Sequence, residues 1–403
     1  MQLLASLRTR SFALLWTGQT ISRLGDSLYR IALAWWVLEE TGSATAMSTV
    51  LVFSFTPMLI FLLIGGVAVD RLPRFRVLFA SDTLNGSVIA VVSILAASGR
   101  LEVWHVYVAG ALSGLAEAFF FPAYAASVPQ IVPSESLPSA NSLTGLSYQI
   151  TGVFGPALGA ALVALGGTPM AFGLDSLSFF ASAACMAPLL RIALPRADDL
   201  TSRSPLLDLR DGLTEVVGRT WLWLSIAFFS LVNVVDSGPR NVAMPFLIHD
   251  HLGLDVGALG AVTSSIAIGS VAAAVFVGRY TRLRHRGLLL YASEAIMGSM
   301  LILFGRVPSL YALMAAAFVY GVGISTGSLV WTNMLQEMVP QDRLGRVSSI
   351  DALGSFVFLP LGFAFAGVLS DRVGPANVFV LGGGAVLLLA AAMFLVPSIR
   401  RLD

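Results

Sequence analysis

Apolar residues run in stretches of about 20, again and again, separated by short polar connections. A run of that length spans the roughly 30 Å hydrocarbon core of a bilayer as a helix. Only helices or closed barrels satisfy the backbone in that setting. Barrel strands would read as short alternating segments, whereas these runs are long and continuous. The pattern predicts an all-α membrane protein with twelve transmembrane helices. They fall near 12–38, 44–69, 75–97, 102–127, 138–165, 169–190, 220–247, 255–278, 287–305, 309–334, 344–369 and 375–397. The long connection at 191–219 then divides a six-helix half at 1–190 from another at 220–403. In its second part, SPLLDLRDGLTEVVGR, Leu206, Leu209, Leu213, Val216 and Val217 share one helical face. That spacing predicts an amphipathic tether on the cytoplasmic membrane surface.

Composition sharpens this. The chain is 56% hydrophobic and 12% charged, more apolar than a soluble protein of 403 residues requires. All 24 basic residues are arginine. With the N-terminus cytoplasmic, 18 of them fall in inside segments; only Arg100, Arg306 and Arg372 fall outside. The positive-inside rule therefore puts both termini in the cytoplasm of a multi-pass cell (inner) membrane protein. The short N-terminus reads as the start of a retained first helix, not a cleaved signal. Cys185 is the single cysteine, which excludes an intramolecular disulfide and any cysteine cluster for metal or redox work.

The remaining three arginines lie inside spans and belong to a repeat. DSLYR places Asp26 and Arg30 in the first span; DSGPR places Asp236 and Arg240 in the seventh, 210 residues on. Arg23 pairs with Asn233 at that offset, and VPSESLPSANSL echoes VPQDRLGRVSSI at an offset of 207. Two echoes at nearly one offset imply a duplication. The two halves are then related by a pseudo-two-fold axis along the membrane normal. An ionised side chain at mid-span costs about 2.5–3.5 kcal/mol on the insertion scale, against roughly 0.3–0.6 kcal/mol returned per large apolar residue. Gln19, Arg23, Asp26 and Arg30 form one stripe, so that stripe faces protein or a wet interior. Asn233, Asp236 and Arg240 make the matching stripe. Two pairings fit the spacing: local ones, Asp26–Arg30 and Asp236–Arg240, which need no partner half, or reciprocal ones between the halves.

The motifs now resemble one superfamily. GGVAVDRLPRFRVL at 65–78 resembles the loop signature of the major facilitator superfamily, with Gly66, Asp70, Arg71, Arg74 and Arg76 in place and Pro73 where glycine is usual. GVFGPALGA resembles its antiporter motif, through Gly155, Pro156 and Gly159. AFFFPAYAASVPQIVPSESLPSANSL and LGRVSSIDALGSFVFLPLG resemble the macrolide-efflux and enterobactin-exporter branch of proton-driven drug antiporters. The second loop copy carries Arg282 where an aspartate would align, and the fourth span offers Glu117 without an arginine.

That resemblance implies secondary active export of a small amphiphilic organic molecule by alternating access, coupled to protons. A lipid or lysolipid flippase, an importer and a non-transporting membrane sensor remain alternatives. It also implies a cytoplasmic gate at Gly66 to Arg76; the positive helix start near Gly345–Ser349 is where the Asp70 carboxylate is expected to dock when that gate closes. Spans one, four, seven and ten would line the substrate path. Candidate residues there are Gln19, Arg23, Arg30, Phe120, Tyr124, Asn233, Arg240, Trp331, Asn333 and Gln336. A cation four residues on favours an ionised carboxylate, which makes Asp26 and Asp236 less ready proton carriers than Glu117; the ranking is Glu117, Asp26, Asp236. Asp82, Asp175 and Glu294 are expected to be packing or interfacial groups. No catalytic constellation, metal site, cofactor or nucleotide-binding loop is expected. The expected partners are substrate, protons and membrane lipids, with no nucleic acid, and the chain is expected to be a monomer.

Overall fold

The computed structural model describes residues 4–192, 212–279, 284–400 and 402; side chains of residues 63, 67, 70 and 342 fall outside that description. The described chain is almost wholly helical. Its main helices are α1 (Arg10–Thr41), α2 (Ala44–Arg71), α3 (Arg74–Ala97), α4 (Val103–Ile131), α5 (Leu137–Met186) and α6 (Thr220–Gly238). They continue with α7 (Val256–Val277), α8 (Arg286–Phe304), α9 (Leu310–Met338), α10 (Gln341–Phe356), α11 (Leu359–Val373) and α12 (Pro375–Phe394). Ten helical stretches of the described chain are long and apolar enough to cross a membrane. α1 is long but is not among them, because Arg23, Asp26 and Arg30 interrupt it.

Breaks in the helices follow local chemistry. α1 stops at Gly42, whose φ of 58° is the left-handed cap that glycine adopts without strain. α5 is two predicted spans joined through Gly167, at φ 74° and ψ 173°, followed by Pro169. The predicted eleventh span is interrupted between α10 and α11, where Pro360 supplies no backbone N–H. Beyond α6 the helix widens into π turns at Pro239–Ala243 and Leu247–His251. Pro239 and Pro245 remove donors there, and such widening often accompanies a functional site.

The chain forms two compact units: Met1–Gly42, Thr49–Asp199 and Leu259–Ser264 in the first, and Ser43–Ser48, Leu200–Ala258 and Ser265–Asp403 in the second. In the first, α1 and α5 approach closely. A Cβ on Gly155 would collide with the Ser27 side chain, and one on Gly159 would sit 3.0 Å from Leu28 Cα. Two glycines of the antiporter-like motif thus turn toward α1 of their own unit. Pro156 and Ala160 meet Gly260, in the Leu259–Ser264 segment of the same unit. Phe12, Leu15, Phe75, Leu78, Leu143 and Met186 close the core at one end of these helices.

The second unit holds two carboxylate devices outside its apolar core. Asp371 of α11 accepts from the N–H of Ala44 at 2.8 Å and Thr45 at 3.0 Å and from Ser43 Oγ at 2.9 Å. A carboxylate there satisfies orphan donors and complements the positive helix start. The other device sits on residues 212–217, the described remainder of the predicted tether; Leu206 and Leu209 lie outside the described residues. Leu213 and Val217 are exposed, while Val216 is buried. Glu215 is buried too, bridging to Arg219 at 2.6 Å and to Arg343 of α10. Arg219 also donates to the Met338 carbonyl.

Burial alone would push the Glu215 carboxyl up; hydrogen bonds and charge from Arg343 and Arg219 outweigh it and hold the group below its ordinary value of 4.5. A group with a lowered folded value adds stability above its ordinary value and loses it as pH falls through the lowered one. Melting temperature followed from pH 7 downward should therefore drop in the acid range, and Glu215→Gln should flatten that drop. An identical pH profile in the variant would remove this clasp from the stability of the fold.

Candidate functional site

In the first unit the predicted stripe of α1 divides by depth. Gln19 is buried and donates to Asp82 Oδ2 of α3 at 3.3 Å and to Ser182 Oγ of α5 at 3.0 Å. Arg23 is half-buried on rings: its guanidinium carbon lies 3.6 Å from the Tyr148 centroid and 5.5 Å from that of Tyr124. Asp26 is half-buried and Arg30 exposed. Among the described residues, Asp26, Arg30 and Glu117 make no hydrogen bond and no ion pair within 4 Å. Glu117, on α4, is exposed and lies within electrostatic reach of Asp26 and Arg30.

Two further carboxyls join this group. Asp175 of α5 is buried against Gly25, where a Cβ would stand 2.5 Å from its Oδ1. Its Oδ1 accepts weakly from Ser178 at 3.4 Å; its Oδ2 is buried without a hydrogen-bond partner. Asp82 is equally buried beneath Gln19. Both lie within electrostatic reach of Asp26. These are buried packing groups, and they back the charged stripe of α1. The signal was legible as register. Gly18 and Gly25 recur at seven, and Asp175, Ser178 and Ser182 form the polar face that fits them.

Register hydrogen bonds hold α1 against α5. Trp16 donates from Nε1 to the Leu143 carbonyl at 3.1 Å, and Thr20 meets Ser147 at 2.8 Å. One turn on, Arg23 is set over Tyr148. Phe120 stacks on Tyr124 at 6.0 Å, extending the aromatic surface along α4.

In the second unit the corresponding charges are closed on themselves. Arg240 donates to Asp236 at 3.2 Å, and the Tyr320 hydroxyl of α9 donates to the other carboxylate oxygen. This is the local alternative for Asp236. Asp236 is buried; Arg240 Nε is buried and has no hydrogen-bond partner. Asn233 donates to the Ser355 carbonyl at 3.0 Å. Trp331 is buried and donates to Asp351 at 2.9 Å; Asn333 is half-buried and Gln336 exposed. Glu294, on α8, lies buried beside Gly327.

Of the loop signature, Arg74 donates to the Ala126 carbonyl of α4 at 3.2 Å. Arg71 and Arg76 are exposed and Gly66 half-buried. The side chain of Asp70, and Arg282, lie outside the described residues. No group of three metal-ligating side chains occurs among the described residues.

Long apolar helices thus carry ionisable groups within them, and α5 packs through glycines. A family model described as "Transmembrane secretion effector" matches residues 1–305, and one for the Major Facilitator Superfamily matches residues 226–402. The chain belongs to the transmembrane secretion effectors of the major facilitator superfamily. This superfamily member is 25% identical over 400 residues to macrolide efflux protein A of Streptococcus pyogenes, covering 97% of each chain. It is 26% identical to the multidrug efflux pump Tap of Mycolicibacterium fortuitum, covering 94% of each. The expected likeness to macrolide efflux is borne out. The fold matches a bacterial homologue of the iron transporter ferroportin in an inward-facing state, with a TM-score of 0.73 at 17% identity, over 95% of this chain and 98% of that one. It also matches a bacterial homologue of the lysosomal transporter Spinster, with a TM-score of 0.72 at 13% identity, over 98% of both chains. The protein is thus a multi-pass membrane transporter of a small molecule.

Removing one member of a buried pair strands the other charge, at a cost of about 3–5 kcal/mol. Asp236→Asn should lower the melting temperature of the detergent-solubilised transporter, and adding Arg240→Gln should restore much of the loss. Additive losses in the double variant would deny the pair any coupling.

Proposed function

We propose that the protein exports amphiphilic organic molecules by alternating access, exchanging substrate for protons, with Glu117 as the proton carrier. The observation carrying this reading is the state of Glu117: accessible, free of hydrogen bonds and ion pairs among the described residues, and electrostatically linked to Asp26 and Arg30. A carboxyl in that position can gain or lose a proton without first breaking a bridge. Each change alters the field on the α1 charges. Proton binding and substrate binding are thereby linked, as antiport requires. Asp236, bound by Arg240 and Tyr320, is better suited to holding its unit together.

Similarity over nearly the whole chain to a macrolide efflux protein and a multidrug efflux pump supports export and an amphiphilic substrate class. The sequence repeat supports twelve spans in two six-helix halves, and the arginine distribution supports cytoplasmic termini in the inner membrane. Gly66, Asp70, Arg71, Arg74 and Arg76 form the cytoplasmic gate in this reading, and Gly155, Pro156 and Gly159 limit leakage.

Purified protein in sealed vesicles should move an amphiphilic probe, pyrenebutanoate or its trimethylammonium analogue, uphill when a pH gradient is imposed. Glu117→Gln should abolish uphill movement and keep gradient-free exchange. Full uphill transport by the variant would rule Glu117 out and promote Asp26; equilibration without accumulation in the native protein would mark a flippase-like activity instead.

A further inference from the structure

Arg23 is held in the first unit by aromatic rings. Among the described residues no acceptor takes a hydrogen bond from it and no carboxylate lies within 4 Å. Its guanidinium carbon lies over the Tyr148 ring, 3.6 Å from the centroid, and 5.5 Å from that of Tyr124. A ring engages the face of a guanidinium and leaves its in-plane N–H donors directed outward. Ring contact alone returns less than an arginine costs inside a membrane span. The arrangement is nevertheless built. The Trp16–Leu143 and Thr20–Ser147 hydrogen bonds fix α1 against α5 in the register that brings Arg23 onto Tyr148. Tyr124 is steadied by Phe120 at 6.0 Å and by its own hydroxyl, 3.4 Å from Thr144. Tyr148 is 53% exposed, so the edge of this platform is not covered by protein.

We propose that Arg23, Tyr148, Tyr124 and Phe120 form a recognition platform for the carboxylate of a flat, apolar amphiphile. The guanidinium edge offers paired donors matched to the two oxygens of a carboxylate, and the rings beside it accept the apolar body. A cationic amphiphile is disfavoured here, because the Tyr148 face that would attract it already holds Arg23. The inference rests on the transporter reading above and names the substrate chemistry that the first unit selects.

The test uses the full chain in phosphatidylcholine nanodiscs, with pyrenebutanoate and its trimethylammonium analogue as probes and empty nanodiscs as the correction. The native protein should bind the carboxylate probe about tenfold more tightly than the ammonium probe, a difference of the size expected for one charge-assisted pair. Arg23→Gln should erase that preference, weakening the carboxylate and leaving the ammonium probe unchanged or tighter. Tyr148→Leu should weaken carboxylate binding several-fold, and Tyr148→Phe should retain it. Unchanged carboxylate binding in Arg23→Gln, or tighter binding of the ammonium probe by the native protein, would overturn the proposal. Should Arg23→Gln not fold, the native headgroup preference and its response to Tyr148→Leu and Tyr148→Phe decide the matter. These are binding measurements. Loss of uphill transport with the preference intact faults the antiport reading alone, and transport without the preference faults only this one.

Discussion

An ionised side chain inside a hydrocarbon layer must be compensated nearby, and this constraint organises the transporter. Each unit carries an aspartate and an arginine four residues apart in its first long helix, and each deals with them differently. In the second unit, Asp236 is held by Arg240 and by the Tyr320 hydroxyl, and the pair sits where Pro239 opens the helix into a π turn. Widening there lets the chain continue without a regular backbone hydrogen bond at the proline. The result is a closed electrostatic knot.

The first unit is not closed. Gln19 is drawn inward to Asp82 and Ser182, Arg23 rests on aromatic rings, and Asp26, Arg30 and Glu117 remain without bridges among the described residues. Close approach makes this possible. Gly18 and Gly25 let the Asp175, Ser178 and Ser182 face of α5 press against α1, while Gly155 and Gly159 admit the opposite arm of α5. Helices packed through small residues keep polar groups away from lipid. Charges left free inside such packing can respond to a proton or a ligand, and that asymmetry is the basis of the roles proposed for the two units.

Much of the fold was legible in the sequence. Run lengths located the helices, and Gly42, Gly167 and the prolines marked where they stop or bend. The break before Pro360 lay hidden because the apolar run is continuous across it, and hydropathy does not register one missing donor. The charged stripe of α1 was legible as a stripe, but its division was not: 100° per residue places Gln19 and Arg23 on one side without saying which neighbouring helix each meets. Asp82 and Asp175 were set aside because their spans lie off the expected substrate path, yet their partners lie across helices, which sequence spacing does not reveal. Tyr148 escaped notice for the same reason: its significance comes from Arg23, 125 residues earlier.

In the proposed mechanism the open charge cluster of the first unit exchanges the proton that accompanies substrate, and the closed pair of the second does not. The most direct measurement is proton release when the tighter-binding of the two pyrene probes is added to the purified transporter in weakly buffered solution with an indicator dye. Native protein and Asp236→Asn should both release protons on binding, and Glu117→Gln should release none. Release preserved in Glu117→Gln and lost in Asp236→Asn would contradict it.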